Sequence, residues 1–203
     1  MVIPLQKASI VSRHEHLFNV ISGSRFLKME GIGKEVPFFI VPYCPSEHLE
    51  IEQIRGQLVN KLQHKGIRVL HLNLYDIAKE LIEEKGDWTY WIDEESNASK
   101  SQLLEELQGL TDTERKLVPA VVHKIRDADF DVLFLSGVGE VYPYIRSHSV
   151  LTNLQKVFKS HPLVMFFPGD YSYSLENGAS LELFGRIHDD KYYRAFNIFE
   201  REA

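Results

Sequence analysis

The apolar positions of this chain fall into short continuous runs, and the runs are separated by stretches of helical period. Val36-Pro37-Phe38-Phe39-Ile40-Val41 is β-branched and aromatic, and Pro42 and Pro45 close it, which predicts a buried strand. Ser46 is placed as the N-cap of a following helix, with Glu47, Glu50 and Glu52 near the positive end of its dipole. Leu49, Ile54, Leu58 and Leu62 follow helical spacing, and Lys65-Gly66 ends the segment. A second strand is expected over Ile67–Asn73, then a helix from Leu74 to Lys85 that Gly86 stops. A short helix over Lys100–Gln108 and a longer one over Thr113–Asp127 come next, the latter with Pro119 either in its first turn or at a kink. Asp131–Leu135 and Leu163–Phe167 are the clearest buried strands. Between them a helix runs through Val150, Leu151, Leu154 and Val157, capped by Ser147 or Ser149. Pro168-Gly169 ends the later strand, and Ala195–Phe199 is the last candidate. A further helix, Ser12–Ile21, is expected to pack outside the sheet.

Strands that alternate with helices, and that are apolar throughout instead of at every second position, are buried on both faces. The fold class is therefore α/β: three layers, a mostly parallel sheet with helices on both faces, for which a degenerate nucleotide-binding-like topology is one option by analogy alone. No repeat and no Pro/Gly/Ser linker divides the chain. One domain, 1–203, is expected, with an N-terminal helical extension (1–30) and an acidic insertion (86–112).

Composition adds little to this except in charge. With 203 residues, 44% of them hydrophobic, the chain has material for a real core. The net charge of −6 is uneven: Glu83 to Glu114 holds ten acidic residues against two basic ones, and the remainder is close to neutral. No global basic field exists, so direct DNA binding is not expected. The acidic segment reads as a solvated insertion or as a contact surface for a basic partner. A single cysteine, Cys44, cannot form an internal disulfide or a multi-cysteine zinc site. With no secretory segment in the first 20 residues, it points to a reducing cytoplasm. The apolar runs fall far short of the roughly 20 residues of a membrane helix.

In an open α/β sheet ligands bind beyond the carboxyl ends of the strands. That rule selects the segments Pro42–Ser46, Ser136–Arg146 and Pro168–Tyr173, and within them Gly137, Gly139, Glu140, Arg146, Gly169 and Asp170 as ligand- or partner-binding candidates. Ser136-Gly137-Val138-Gly139-Glu140 lacks the Lys-Ser/Thr pair of a Walker loop, and Tyr142 stands where a dinucleotide fingerprint needs its third glycine. Tight-turn glycines are the simpler account. Gly31-Ile32-Gly33-Lys34 precedes the first strand, at the wrong end of the sheet for a nucleotide. Arg146-Ser147-His148 suits an anion or an ordinary ion pair. His188-Asp189-Asp190 offers metal-ligand types, but neighbours in a strand point apart, so a polar turn is the plainer reading. His14-Glu15-His16 has the wrong spacing for one helix face, and Cys44 reads as a small buried side chain. No catalytic residue, metal site or cofactor is assigned.

Several stretches together resemble the BrxB family: Glu35–Ile40, Asn73-Leu74-Tyr75-Asp76, Phe130–His148, Val164–Gly169, Leu181–Arg186 and Tyr192–Phe196. The resemblance spans nearly the whole chain. It implies a small cytoplasmic component of a bacteriophage exclusion (BREX) system. Such systems also hold a DNA methyltransferase, a phosphatase-like protein (PglZ), large ATPases and a small DNA-binding protein. It further implies a non-catalytic adaptor that contacts PglZ and other BREX components, and it carries over no catalytic residues. Trp88, Tyr90 and Trp91, beside the acidic run, are then candidate partner anchors, or else caps on the core. The alternative is a nucleotide- or nucleic-acid-binding module built on the loops after the third and fourth strands, with Arg146 and backbone amides holding phosphate.

Overall fold

The computed structural model describes residues 5–30, 37–84, 88–95, 97–174, 178–189 and 195–202. Helix α1 (Ile10–Ile21) and the single turn α2 (Ser24–Leu27) precede strand β1 (Phe38–Tyr43). Then come α3 (His48–His64), β2 (Val69–Asn73), α4 (Leu74–Glu83), α5 (Trp88–Glu94), α6 (Lys100–Leu110) and α7 (Val118–Arg126). The chain continues through β3 (Val132–Ser136), α8 (Ser147–Val157), β4 (Leu163–Ser174), β5 (Gly178–Leu183), β6 (Ile187–Asp189) and β7 (Phe196–Asn197).

Five strands form a parallel sheet in the order β2-β3-β4-β1-β7, and β5 and β6 extend β4 as an antiparallel meander. All six β1 side chains are buried because both faces are covered. Phe38 and Ile40 face a core shared with Ile77 of α4, Val121 of α7 and Leu151 of α8. Phe39, Val41 and Tyr43 face the opposite core, with Leu17 and Ile21 of α1 and Leu58 and Leu62 of α3. The expected α/β class with helices on both faces is what the chain adopts. Among the described residues no helix is long and apolar enough to cross a membrane.

Several local expectations are corrected. Ser46 does not cap α3: Pro45 opens a 3-10 turn (Pro45–Glu47), which moves the N-cap to Glu47. Neither Ser147 nor Ser149 caps α8; extended Arg146 holds that place, and Ser147 is already the first, buried helical residue. Pro119 lies in the first turn of α7, directly after a π-turn at Thr113–Leu117. Cys44 is exposed, with Sγ 3.0 Å from Ser46 Oγ. Pro42 does not end β1. β7 pairs only with Phe39 and Ile40, so β1 is an edge strand beyond them and tolerates proline. The last strand shrinks to Phe196–Asn197, because the Asn197 side chain accepts from Phe199 N–H (3.1 Å) and starts a 3-10 turn.

The largest correction concerns β4. Pro168-Gly169 does not stop it; the strand changes partners there. Up to Tyr43↔Pro168 it pairs in parallel with β1, and from Gly169↔Leu183 onward it pairs antiparallel with β5. Proline, which donates no hydrogen bond, stands at the handover. A Cβ on Gly169 would lie 2.1 Å from the Glu182 carbonyl oxygen, so only glycine lets β5 approach. His188 consequently lies in β6, not in a polar turn, with Nε2 3.6 Å from Glu182 Oε1. Gly31-Ile32-Gly33-Lys34 and residues 190–194 lie outside the described residues.

Candidate functional site: the crevice at the carboxyl ends of the strands

After β1 the chain leaves towards α3 on one face of the sheet, and after β3 it leaves towards α8 on the other. β4 lies between these two strands, so their exits diverge around its end and leave a crevice. The crevice has a volume of about 230 Å³. The end of β1 and its turn supply Tyr43, Pro45 and His48, the exit of β3 supplies Gly137 to Glu140, and Pro168 with Phe184 close it from the meander. Its walls are mainly apolar. Glu140 is the one acidic side chain among the described lining residues, and no lysine or arginine is among them.

The two glycines of the β3 exit are explained by what they touch. Gly137 has φ of +77°, and a Cβ there would lie 2.0 Å from Asn73 Oδ1. That oxygen is already engaged, because it accepts from Tyr75 N–H (2.8 Å) and caps α4. A Cβ on Gly139 would lie 2.9 Å from Pro168 Cγ and 3.0 Å from Phe184 Cε1. Both glycines therefore allow close packing of neighbouring turns, and neither requires a phosphate to account for it.

Polar chemistry at this end of the sheet is sparse but ordered. Tyr43 Oη hydrogen-bonds His48 Nδ1 at 3.0 Å. Burial, with Glu52 and Glu140 adding to it, pushes the Tyr43 phenol well above its ordinary range. Tyr144 is pushed up to about 12, first by burial and then by Tyr75 and Glu140. Both phenols thus stay protonated at neutral pH. Ser136 Oγ lies 2.8 Å from His71 Nε2. His71 is drawn down to about 4 by burial first and by the Arg55 guanidinium second. As a residue His71 is exposed on the edge strand β2, but the nitrogen bonded to buried Ser136 is turned inward, and this inward placement governs the direction. Sequence reading missed this pair. The residues are 65 apart and meet only because β2 and β3 align Asn73 with Ser136 and His71 with Phe134. A serine beside a neutral histidine has the first two parts of a nucleophile–base pair. Ser136 is only 2% exposed, so its hydroxyl is closed to a substrate in this conformation.

The loop after β1 is anchored from outside the sheet. Buried Arg13 of α1 donates to both Glu47 carboxylate oxygens, at 2.7 and 3.0 Å. This bidentate pair fixes the turn that carries Pro45 and His48.

Of the other candidates, Arg146 lies over the Tyr142 ring, 4.9 Å from its centroid, as the N-cap residue of α8, and does not line the crevice. Asp170 is exposed just past the β4 handover, directly across from Glu182. The Pro168–Tyr173 segment belongs to a strand, so the loop after the fourth strand does not exist as such. Trp88 and Trp91 belong to α5, but their side chains lie outside the described residues; on the same helix Tyr90 and Ile92 are 56% and 57% exposed.

No solved structure matches the chain. A family model described as "BREX protein BrxB" matches residues 70–198. The chain is 33% identical over 196 residues to a "BREX protein BrxB" of Bacillus cereus (strain H3081.97), covering 95% of this chain and 98% of that one. It is 29% identical over 178 residues to a protein of the same name from Escherichia coli O9:H4 (strain HS), covering 88% of this chain and 86% of that one. On a family match that spans most of the sheet, and a relative similar along almost its full length, this chain belongs to the BrxB family of BREX proteins.

Proposed function

We propose that the chain acts as a non-catalytic adaptor inside a bacterial BREX system, in the cytoplasm, and that the phosphatase-like component PglZ is its principal contact. Membership of the BrxB family supports a place among BREX components. The observation that carries the adaptor reading is the character of the crevice. It is an apolar cleft at the position where related sheet architectures hold ligands, and the nearby Ser136–His71 pair is closed to substrate. Exposed Leu49, Tyr75, Tyr90 and Ile92 add apolar contact area outside it. The nucleotide-binding alternative gains no support from these side chains: Glu140 would repel phosphate, and Arg146 is engaged with Tyr142.

The test is purification of affinity-tagged chain from cells that carry the complete defence operon. The adaptor reading expects the PglZ component to co-elute in near-equal amount. Elution of the chain alone would contradict it.

A further inference from the structure

The crevice and the meander beside it share an unusual charge arrangement. Asp170 and Glu182 face each other directly across β4 and β5. Like charges at opposed positions of an antiparallel pair lie close together and destabilise it. The only described ion-pair contact to either carboxylate is His188 with Glu182, which counts as an ion pair only while the imidazole is protonated. Asp170 also approaches the turn that carries Phe184: a Cβ built on Gly185 would lie 3.9 Å from Asp170 Oδ2. Phe184 is in turn a wall of the crevice, and Glu140 lies on the same rim. Glu140 thus lines the apolar cleft, and Asp170 and Glu182 stand opposite each other on the two strands that carry Pro168 and lead to Phe184, which close it. Arg186, exposed two residues beyond Phe184, is the basic residue on that turn.

We infer that the crevice between β1, β3 and the meander is a docking site for a peptide segment of another protein that inserts an apolar side chain between Pro45, Val138 and Phe184 while adjacent lysines or arginines meet Glu140, Asp170 and Glu182. This deepens the adaptor reading and rests on it. The occupant follows from the two halves of the site. The cleft is apolar and too small for more than one or two side chains, and Glu140, the one acidic side chain among its described lining residues, favours a cation. A phosphate-bearing ligand meets the wrong charge. A second copy of this acidic chain would have to supply a basic apolar segment to a rim that already carries the negative charge.

Two measurements test this. In the first, the amide proton–nitrogen spectrum of the full chain is titrated with a peptide holding a Leu-Trp centre flanked by lysines, with the same centre flanked by glutamates, and with ATP. The lysine peptide is expected to shift the amides of Gly137, Gly139 and Glu140, and the other two are not. In the second, E140K combined with D170K, both exposed positions, is expected to weaken the lysine peptide by roughly tenfold or more. The same variant should also reduce capture of operon components by the tagged chain, with an unchanged spectrum elsewhere showing that it folds. Shifts caused by ATP, or a sedimentation result showing that two copies bury these amides, would overturn the inference. So would a double variant that binds peptide and operon components as the parent does; the adaptor reading would then still stand. If the parent chain captures no operon component, the adaptor reading fails, and the peptide titration judges the crevice separately.

Discussion

Single residues carry much of the geometry described above. Gly137 is the clearest case. Alanine there must adopt φ of +77° and would collide with the Asn73 oxygen that caps α4. The left-handed conformation costs about 1–2 kcal/mol and a lost cap about 1 kcal/mol. Gly137→Ala is therefore expected to lower unfolding free energy by about 2–3 kcal/mol in urea titrations, and an unchanged midpoint would refute the assignment. His71 gives a pH dependence with a definite sign. Its ring is held below the ordinary histidine value of 6.5, at about 4, so the folded state resists protonation. The stabilising contribution is complete above pH 6.5 and is lost as pH falls from there towards 4. Because the residue is partly exposed, the loss is on the order of 1–2 kcal/mol. Replacing it by glutamine should flatten that limb of the stability–pH curve relative to the parent; parallel curves would show that the pair with Ser136 does not shift the ring.

At the scale of elements, attachment differs sharply along the chain. α1 is tied to the turn after β1 by the buried Arg13–Glu47 pair. Arg13→Ala leaves a half-buried carboxylate without its partner and should cost about 2–4 kcal/mol, with faster amide exchange in α1 and in the Pro45–Glu47 turn before the rest of the sheet. α6 behaves in the opposite way. It carries a complete capping box, Ser99 with Gln102, yet buries none of its residues. Ser99→Ala should remove about 1 kcal/mol from that helix alone. Exchange of the α6 amides would then rise about fivefold with no change in the global midpoint; a lowered midpoint would mean that the helix is coupled to the core. These elements also show what the sequence makes legible. Continuous apolar runs at Phe38–Val41, Val132–Leu135 and Leu163–Phe167 mark strands buried on both faces, because burial alone sets that pattern. The meander was not legible by the same rule, since Pro168-Gly169 has the composition of a stop. The period-two signal lay beyond it, in Tyr171 and in Leu181 and Leu183 around Glu182, whose apolar members are buried in the core. Cap positions shifted wherever a proline or an extended residue imposed its own backbone, at Pro45 and at Arg146.

For the whole molecule, the strand order places the exits of β1 and β3 on opposite faces and so makes the crevice, and sequence could point to its rim only through the rule that ligands gather at carboxyl ends of strands. Gly137, Gly139 and Glu140 were found in that way. Tyr43 fell inside the selected Pro42–Ser46 segment without being singled out, whereas Phe184 and the Ser136–His71 pair were not found, because their proximity is produced by pairing between distant segments. The central claim is that this molecule works by being held against other proteins and not by turning over a substrate. Phage plating on cells that carry the full defence operon tests it most directly when the chain bears Ser136→Ala or His71→Gln, which dismantle the nucleophile–base geometry at the crevice end of the sheet. The account predicts that either variant, shown to be folded and still bound to its operon partners, excludes phage as the parent does. Plating restored to the level of an operon-free host by such a folded, partner-bound variant would contradict it.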